Sequence, residues 1–169
     1  MSRAFVKDES WEEPLVAPRA PLPDGVPNYV TARGLRLLRE EQAGLEARQR
    51  TIEADAALDD NERRRRQSVL TTRLREVLAR IATAQVVPAG VAGDDAARFG
   101  AEITLRSQDE ERRLRIVGVD EADPEEGRVA FTSPIARAVL GLKVGQTARL
   151  RAAGGEETLR IEGIAYPED

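Results

Sequence analysis

Hydrophobic residues recur every seven positions in the first half of the chain, which is the spacing of a helix that buries one narrow stripe. Leu38, Leu45 and Ile52 form this stripe. The run contains no proline and begins at Thr31, a favourable N-cap residue. We therefore predict a helix from Thr31 to about Ala54, with a length of roughly 35 Å at 1.5 Å per residue.

A second run of the same kind extends from about residue 61 to residue 84. Its apolar positions step by four and three, as in the seam of a coiled coil: Leu70, Leu74, Val77, Ile81 and Ala84. Neither stripe can be buried by its own helix, and the polar connection between the two runs is short. The pattern predicts an antiparallel coiled-coil hairpin over residues 29–84, with its tip at about residues 54–61.

Beyond residue 85 the apolar positions alternate, which is typical of strands. We predict strands at residues 101–105, 113–119 and 127–131, and two more at 148–151 and 158–164 around the turn signal Gly154-Gly155. Ser133 and Pro134 have the character of an N-cap and first residue of a short helix at 135–140. The predicted fold class is α+β, with the hairpin followed by an antiparallel sheet domain and one short helix over residues 85–169.

Residues 1–28 form a segment that we call the proline-rich arm. Its prolines are too closely spaced for a helix or a central strand, so an extended conformation is predicted: Pro14, Pro18, Pro21, Pro23 and Pro27. The arm also carries two aromatic residues, Phe5 and Trp11. Two interpretations stay open for them, namely docking onto the body of the same chain and anchoring a partner protein.

Composition narrows the range of activities. The chain of 169 residues has no cysteine and no histidine, which excludes disulfides, thiolate chemistry and the usual zinc ligands. Histidine is also the commonest general base, so we expect no self-sufficient catalysis and no enzyme. No apolar run approaches the roughly 20 residues that span a bilayer. The first residues lack the apolar core of a signal peptide, so we expect a cytoplasmic protein with no membrane partner.

Charge is distributed unevenly within the overall value of −4. Residues 31–84 carry twelve basic and nine acidic side chains, whereas residues 85–169 carry eleven basic and sixteen acidic ones. The hairpin is therefore the part of the chain with an electrostatic preference for phosphate groups.

The predicted tip concentrates acids just ahead of four arginines, Arg63 to Arg66, in the segment TIEADAALDDNERRRRQ. In one interpretation these acids solvate a turn, with Asp59 or Asp60 as the N-cap of the second helix. In another, they face a metal ion, and both roles are compatible. The arginines spread around a full helical turn, so they form either a solvated surface or part of a basic collar below the tip.

The second half of the chain resembles the C-terminal domain of the bacterial GreA/GreB transcription elongation factors. The resemblance rests on motifs that occur in the family's order: Phe99-Gly100-Ala101, Arg115-Ile116-Val117-Gly118, Asp120-Glu121-Ala122-Asp123, Ser133-Pro134-Ile135-Ala136-Arg137-Ala138, Val144-Gly145 and Gly154-Gly155. The segment Tyr29-Val30-Thr31-Ala32-Arg33-Gly34 is similar to the start of the family's first helix, so the resemblance covers residues 28–166. The proline-rich arm resembles an N-terminal extension of a subset of relatives.

This resemblance implies an FK506-binding-protein-like fold for residues 85–169 and binding to bacterial RNA polymerase at its secondary channel. It implies that the acids Asp55, Asp59 and Asp60 share the second Mg²⁺ of the polymerase, which then cleaves its own backtracked transcript. It further implies that basic residues below the tip contact nascent RNA: Arg48, Arg50, Arg63 and Arg64. The candidate polymerase-docking residues are Asp120, Glu121, Asp123, Ser133, Pro134 and Ile135. The protein would act as a monomer with no cofactor of its own.

The tip departs from the family's motif Gly-Asp-Leu-x-Glu-Asn-x-Glu/Asp-Tyr. Leu58 and Asn61 match it, Asp60 replaces its glutamate, and Ala57 stands where its aspartate is expected. The hairpin is also shorter than in typical members. Two hypotheses therefore stay open, a factor that stimulates transcript cleavage and a channel-binding relative that modulates or inhibits transcription without cleavage.

Two rivals come from other classes of protein. A peptidyl-prolyl isomerase with a helical dimerisation arm needs an aromatic-lined pocket, for which the second half offers only Phe99, Phe131 and Tyr166. A nucleic-acid chaperone is disfavoured by the acidic overall charge and by the lack of aromatic residues near the arginines.

Overall fold

The computed structural model describes residues 19–88, 90, 95–108, 110–152 and 155–167. Two long helices, α1 (Ala32–Ala54) and α2 (Asp60–Thr83), form an antiparallel hairpin. Both helices begin at a residue predicted from the sequence to be a cap. The Thr31 side chain accepts a hydrogen bond from the Gly34 N–H at 2.8 Å, and the Asp59 side chain caps α2.

The predicted apolar stripes meet along the length of the hairpin. Leu45 packs against Leu70 and Val77, with Ile52, Leu74 and Ile81 partly buried around them. Beside this apolar seam, the exposed Gln49 amide donates a hydrogen bond to the Thr71 hydroxyl at 3.2 Å, which also links the two helices. A single narrow seam of this kind stabilises a two-helix hairpin only in part, so contacts at the base of the hairpin matter for its orientation.

Two short strands that the sequence reading missed frame the base of the hairpin. Strand β1 (Asn28–Val30) leads into α1, and strand β2 (Ala84–Val86) leads out of α2, and the two pair in parallel. The Asn28 amide also donates to the Arg80 carbonyl at 2.9 Å. Residues 28–30 thus belong to the body of the protein, whereas residues 1–18 of the predicted arm, with Phe5 and Trp11, lie outside the described residues.

The second half folds into a five-stranded sheet with the strand order β5-β4-β3-β7-β6. These strands are β3 (Glu102–Ser107), β4 (Glu110–Val117), β5 (Arg128–Ala130), β6 (Thr147–Ala152) and β7 (Gly155–Ala165). Helix α3 (Pro134–Val139) packs on one face and begins after the predicted cap Ser133. The core between helix and sheet includes Ile103, Leu105, Ile116, Leu159, Ile161 and Val139, all fully buried.

The α+β class is confirmed, but the sheet is mixed rather than wholly antiparallel. Strand β5 pairs with β4 in parallel, with Ile116 opposite Val129. The reason is the connection between them, in which two 3₁₀ turns at Val119–Glu121 and Pro124–Glu126 carry the chain back along the sheet edge. A tight two-residue turn would have made the pair antiparallel. Within the described residues no helix is both long and apolar enough to span a bilayer.

Gly118 sets the close approach of the hairpin base to the sheet. A Cβ atom at this position would lie 2.7 Å from the Tyr29 carbonyl oxygen, which is a backbone atom and cannot rotate away. We expect Gly118→Ala to lower the free energy of unfolding by about 1–3 kcal/mol, because the two segments must separate. Urea unfolding followed by circular dichroism measures this loss.

Gly163→Ala is the matched control for that prediction. Its added Cβ would meet only Thr104 side-chain atoms at 3.7 Å, an ordinary contact distance. We expect a change within about 0.5 kcal/mol, as for other substitutions without a clash. Equal unfolding midpoints for Gly118→Ala and the wild type would show that the close approach is unimportant.

Candidate functional site

The tip of the hairpin, residues 55–59, carries the predicted acids on a short turn between α1 and α2. Asp55 follows the last residue of α1, and its Oδ1 accepts a hydrogen bond from the Ala57 N–H at 2.9 Å. Asp59 and Asp60 lie at the start of α2, and both are exposed. The fold therefore places these three carboxylates at the end of the hairpin that lies farthest from the sheet domain.

Asp59 is the N-cap of α2. Its Oδ1 accepts hydrogen bonds from the Asn61 N–H at 2.8 Å and the Glu62 N–H at 2.9 Å, two donors that a helix start leaves without a partner. The pKa of the Asp59 carboxyl is lowered from its ordinary value. The largest cause is the hydrogen bond from the Glu62 N–H, followed by the hydrogen bond from the Asn61 N–H and the nearby positive charge of Arg63. The group is thus fully ionised at neutral pH, and Oδ2 accepts none of these bonds.

The Arg63 side chain stabilises the turn through hydrogen bonds to three of its residues. Its guanidinium donates to the backbone carbonyls of Asp55 at 2.9 Å and Leu58 at 3.0 Å, and also to Oδ1 of Asp60 at 2.9 Å. These contacts close the turn over the start of α2. The Asp60 side chain is nonetheless 82% exposed, so this carboxylate is the most accessible of the paired acids at the tip.

The tip does not form a complete metal site by itself. No group of three or more acidic side chains in the described parts of the chain is arranged to hold a metal ion. At the tip, Asp59 and Asp60 could each provide one carboxylate oxygen to a metal ion. Mg²⁺ keeps several waters and often takes only one or two carboxylates from a protein, so these oxygens suit a partial ligand set that another molecule completes.

The predicted basic residues fall into two groups. Arg63 is engaged with the tip, and Arg64 donates to the Asp60 carbonyl oxygen at 3.1 Å while its side chain remains exposed. Arg48 and Arg50 lie on α1 below the tip and are exposed. The structure thus leaves Arg48, Arg50 and Arg64 accessible to a ligand and gives Arg63 an internal role.

Two predicted docking residues prove to be internal, which corrects that part of the sequence reading. The Glu121 side chain is 1% exposed, accepts a hydrogen bond from the Thr31 hydroxyl, and pairs with Arg33 at 2.9 Å. Asp120 is 6% exposed. Both carboxylates turn inward because the 3₁₀ turn that carries them lies against the base of the hairpin. We call these two acids and their partners the junction.

Asp120 is shared between two arginines of the N-terminal half. It pairs with Arg19 at 2.6 Å and with Arg80 at 3.6 Å, and Arg19 also pairs with Glu41 of α1 at 2.6 Å. Burial alone would lower the pKa of Arg19, but the hydrogen bonds that its guanidinium donates to the Glu41 and Asp120 carboxylates raise that pKa above its ordinary value. The ion pairs of the junction therefore link Arg19, the hairpin and the sheet domain.

The sequence reading missed the arginines of the junction. Arg80 is buried. The apolar pattern of α2 places position 80 at the edge of the seam, and this position is the one feature of the sequence that indicates a buried role for Arg80. Arg19 and Arg33 carry no such signal. Their partners lie 101 and 88 positions away along the chain, so only the tertiary structure identifies them.

The other docking candidates lie nearer the surface. Asp123 is partly exposed beside Arg128 at 3.4 Å, and Pro134 is exposed at the start of α3. The Ser133 hydroxyl caps α3 by accepting from the Ala136 N–H at 3.3 Å, and Ile135 packs against the core of the sheet domain. A partner could thus contact Asp123 and Pro134 without disturbing the fold.

An aromatic cluster completes the contact between the two halves. Tyr29 of β1 lies 6.0 Å from Phe99 and 5.6 Å from Phe131, measured between ring centroids, and the two phenylalanine rings are 5.6 Å apart. Such tilted arrangements are favourable for aromatic rings. Two of the three aromatic residues considered for an isomerase pocket are therefore packed against each other and against the hairpin base.

The cap at Asp59 gives a prediction with a defined pH dependence. We expect Asp59→Ala to lower the urea midpoint and the helix content at neutral pH, because the N–H groups of Asn61 and Glu62 lose their acceptor. A lowered pKa in the folded state means that the carboxylate stabilises the fold above the unfolded pKa of about 3.9. This contribution is lost as the pH falls through the lower folded pKa.

Urea midpoints measured across the acidic range test that sign. The difference between wild type and Asp59→Ala should shrink as the pH falls below the folded pKa of Asp59. Asp59→Asn serves as the control, because asparagine caps helices about as well as aspartate and should retain most of the stability. A difference that is independent of pH, or an equal loss in Asp59→Asn, would contradict the prediction.

Sequence comparison relates the chain to known proteins. The profile of the family described as "Transcription elongation factor, GreA/GreB, C-term" matches residues 92–166. Transcription elongation factor GreA of Ralstonia nicotianae is 34% identical over 152 residues, covering 81% of this chain and 96% of that protein. The GreA of Alkalilimnicola ehrlichii is 36% identical over the same shares, and that of a Methylobacterium species is 35% identical over 85% of this chain and 98% of its own length.

Solved structures with a similar arrangement include a GreA/GreB factor from Nitrosomonas europaea. It is 18% identical, with a TM-score of 0.41 over 82% of this chain and 98% of that chain. The GreA factor homolog 1 (Gfh1) protein of Thermus thermophilus is 17% identical, with a TM-score of 0.39 over 83% of this chain and 99% of that chain.

Proposed function

Because the chain belongs to the GreA/GreB family of transcription elongation factors, we propose that it binds bacterial RNA polymerase and stimulates cleavage of backtracked transcripts. The family assignment rests on relatives named GreA that match over 96% to 98% of their own length. In the proposed complex the hairpin enters the secondary channel, and its tip reaches the active site of the polymerase.

The observation that carries the proposal is the presentation of Asp59 and Asp60. Both carboxylates are exposed at the far end of a hairpin whose helices are each roughly 35 Å long. The cap fixes the direction of Asp59, and the Arg63 brace fixes that of Asp60. A preorganised carboxylate costs less conformational entropy when it binds a metal ion than a mobile one would.

The chemistry is that of a second metal ion in phosphoryl transfer. The polymerase would supply the Mg²⁺ ions, and their charge would support phosphoryl transfer at its active site. A tip carboxylate from this chain would complete the ligand set of the second ion and orient the attacking water. The chain itself would then be no enzyme and would need no cofactor of its own, which suits a sequence without histidine or cysteine.

Basic residues below the tip supply the contact to nascent RNA in this proposal. Arg48, Arg50 and Arg64 are accessible there, whereas Arg63 serves the tip itself. Contacts of this kind neutralise backbone phosphates and weaken as salt concentration rises. Asp123 and Pro134 remain as candidate polymerase contacts of the sheet domain, and the protein acts as a monomer.

A second candidate function is modulation of transcription without cleavage. The observation that favours it is the engagement of the tip acids within the chain, since Asp59 caps α2 and Asp60 pairs with Arg63. Ala57 also offers no carboxylate. A factor of this kind would occupy the channel and alter elongation while the transcript stays intact.

Stalled, backtracked elongation complexes distinguish the two functions. Radiolabelled transcripts are incubated with the protein and Mg²⁺, and their lengths are followed on a sequencing gel. Shortened transcripts support cleavage stimulation. Unchanged transcripts together with polymerase binding in a pull-down favour the modulator, and no binding to core polymerase contradicts both.

A further inference from the structure

Strand β6 forms one edge of the five-stranded sheet, and among the described residues no strand pairs with its outer side. The direction of its backbone groups follows from its pairing with β7. The Ile161 N–H donates to the Gln146 carbonyl at 2.9 Å, just before β6 begins. Because hydrogen-bonded pairs alternate along an antiparallel ladder, the N–H and C=O groups of Thr147, Arg149 and Arg151 point away from β7.

The two edges of the sheet differ in how they are covered. Strand β5, at the other edge, is only three residues long. Its Arg128 exchanges backbone hydrogen bonds with Asp123 at 2.8 and 2.9 Å, and the Ser133 N–H donates to the Ala130 carbonyl at 2.8 Å. In the described parts of the chain, no such bond from another element reaches the outward groups of β6. An open edge of this kind can take up a further strand.

The open edge is basic. Ala148 and Leu150 of β6 pack toward the core, so Arg149 and Arg151 project from the opposite face of the sheet. The Arg149 side chain is 80% exposed, although it lies 3.7 Å from Glu156 of β7. Arg151 is exposed and forms no ion pair with another described residue. Both guanidinium groups are therefore accessible to a strand that lies beside β6.

The same face of the sheet already joins its strands by pairs of arginine and glutamate. Arg106 of β3 pairs with Glu111 of β4 at 3.4 Å and with Glu162 of β7 at 3.5 Å, and Arg149 of β6 pairs with Glu156 of β7. Opposite charges on neighbouring strands stabilise the pairing, whereas like charges opposite each other destabilise it. A strand added beside the two arginines of β6 therefore needs acidic side chains on this face.

We infer that β6 binds an extended acidic segment of a partner protein by strand addition. The backbone of the segment bonds to the outward N–H and C=O groups of β6, and its acidic side chains pair with Arg149 and Arg151. Its alternate side chains lie on the other face beside Leu150, which is partly buried, and are apolar. The surface lies at the opposite edge of the sheet from Asp123, and it is independent of the proposed activity of the hairpin tip.

A second copy of the chain fits this edge poorly. When two β6 strands pair in antiparallel orientation around residue 149 or residue 150, arginine lies opposite arginine. Charged side chains on edge strands protect natural sheets from self-association in this way. The two arginines therefore disfavour a copy of β6 and favour an acidic partner.

Two fluorescein-labelled peptides of about six residues, the usual length of a strand, test the inference on the full chain. One repeats Val-Glu and the other repeats Val-Lys, and fluorescence anisotropy measures their binding. We expect the wild type to bind the Val-Glu peptide about tenfold more tightly than the Val-Lys peptide, and Arg149→Glu/Arg151→Glu to reverse this preference. The bound Val-Glu peptide should also slow hydrogen exchange at the amides of Thr147, Arg149 and Arg151.

Arg149→Pro and Arg149→Ala separate the backbone contribution from the charge. Both remove the same charge, but only proline also removes an outward N–H group, at an edge position where proline is tolerated. We expect Arg149→Pro to bind the Val-Glu peptide about fivefold more weakly than Arg149→Ala, the typical effect of one hydrogen bond. Circular dichroism shows whether both variants are folded, and if the proline variant is not, the exchange of the Thr147 and Arg151 amides in the wild type tests the same backbone contact.

Four outcomes would overturn the inference. Slow exchange at the three outward amides before any peptide is added would mean that the edge is already paired. Absent or equal binding of the two peptides would remove the selection by charge. Binding of the Val-Glu peptide without slower exchange in β6 would place the peptide elsewhere. Binding of a single-stranded thymidine oligonucleotide that depends on Arg149 and Arg151, without binding of the Val-Glu peptide, would assign the surface to nucleic acid.

Discussion

Asp60→Asn is expected to reduce stimulated transcript cleavage by about 10- to 100-fold while leaving polymerase binding intact. This is the size of effect typical when a group that supports a metal site is removed. The substitution keeps the shape of the side chain but removes the charge that would bind Mg²⁺. The Asp60 side chain is 82% exposed and its main contact is with Arg63, so the fold should tolerate the change. Cleavage rates in backtracked complexes give the measurement, with a pull-down for binding.

Glu53→Gln is the matched control for this prediction. Glu53 is also an exposed acid of the hairpin, but it lies on α1 below the tip and belongs to no part of the proposed site. Glu53→Gln should stimulate transcript cleavage at the wild-type rate. If the wild type stimulates cleavage and Asp60→Asn does so equally well, Asp60 is not a ligand, and the carboxylate of Asp59 becomes the remaining candidate at the start of α2.

Asp120→Ala is expected to lower the free energy of unfolding by about 3 kcal/mol, because it removes the carboxylate that pairs with the buried Arg80 and leaves Arg19 with Glu41 alone. Arg80 is only 10% exposed in its side chain and Arg19 only 17%, and both pair with Asp120. Nη1 of Arg80 is buried and has no hydrogen-bond partner among the described residues, so the loss of the carboxylate adds to a charge that is already incompletely paired. Urea unfolding measures the loss, and hydrogen exchange at the base of α1 shows whether the hairpin loosens.

Asp123→Ala tests whether burial is the cause. Asp123 lies three residues farther along the same loop, and it also pairs with an arginine, Arg128 at 3.4 Å, but its side chain is 42% exposed. Exposed pairs contribute about 0–1 kcal/mol, so this variant should unfold near the wild-type midpoint. Equal losses in the two variants would mean that the loop itself, and not the buried charge, holds the hairpin to the sheet domain.

Local patterns in the sequence determined a large part of the fold. The spacing of Leu38, Leu45 and Ile52 gave the helices and their seam, and the residue types at Thr31, Asp59 and Ser133 gave the helix starts that the structure confirms. The placement of the acids at the hairpin tip followed from these same signals. Helix periodicity and capping depend on residues three to seven positions apart, which a single sequence displays directly.

The tertiary structure alone decided which charges face outward. Asp120 and Glu121 looked like surface acids on a loop, yet each binds an arginine from the other half of the chain. Arg63 looked like part of an RNA-binding run, yet it closes the tip. The parallel pairing of β4 with β5 was equally hidden. The spacing of charged residues along the sequence does not indicate which residues they pair with. The sequence of a strand likewise does not indicate whether its neighbour runs parallel or antiparallel. Both depend on segments that are brought together only by folding.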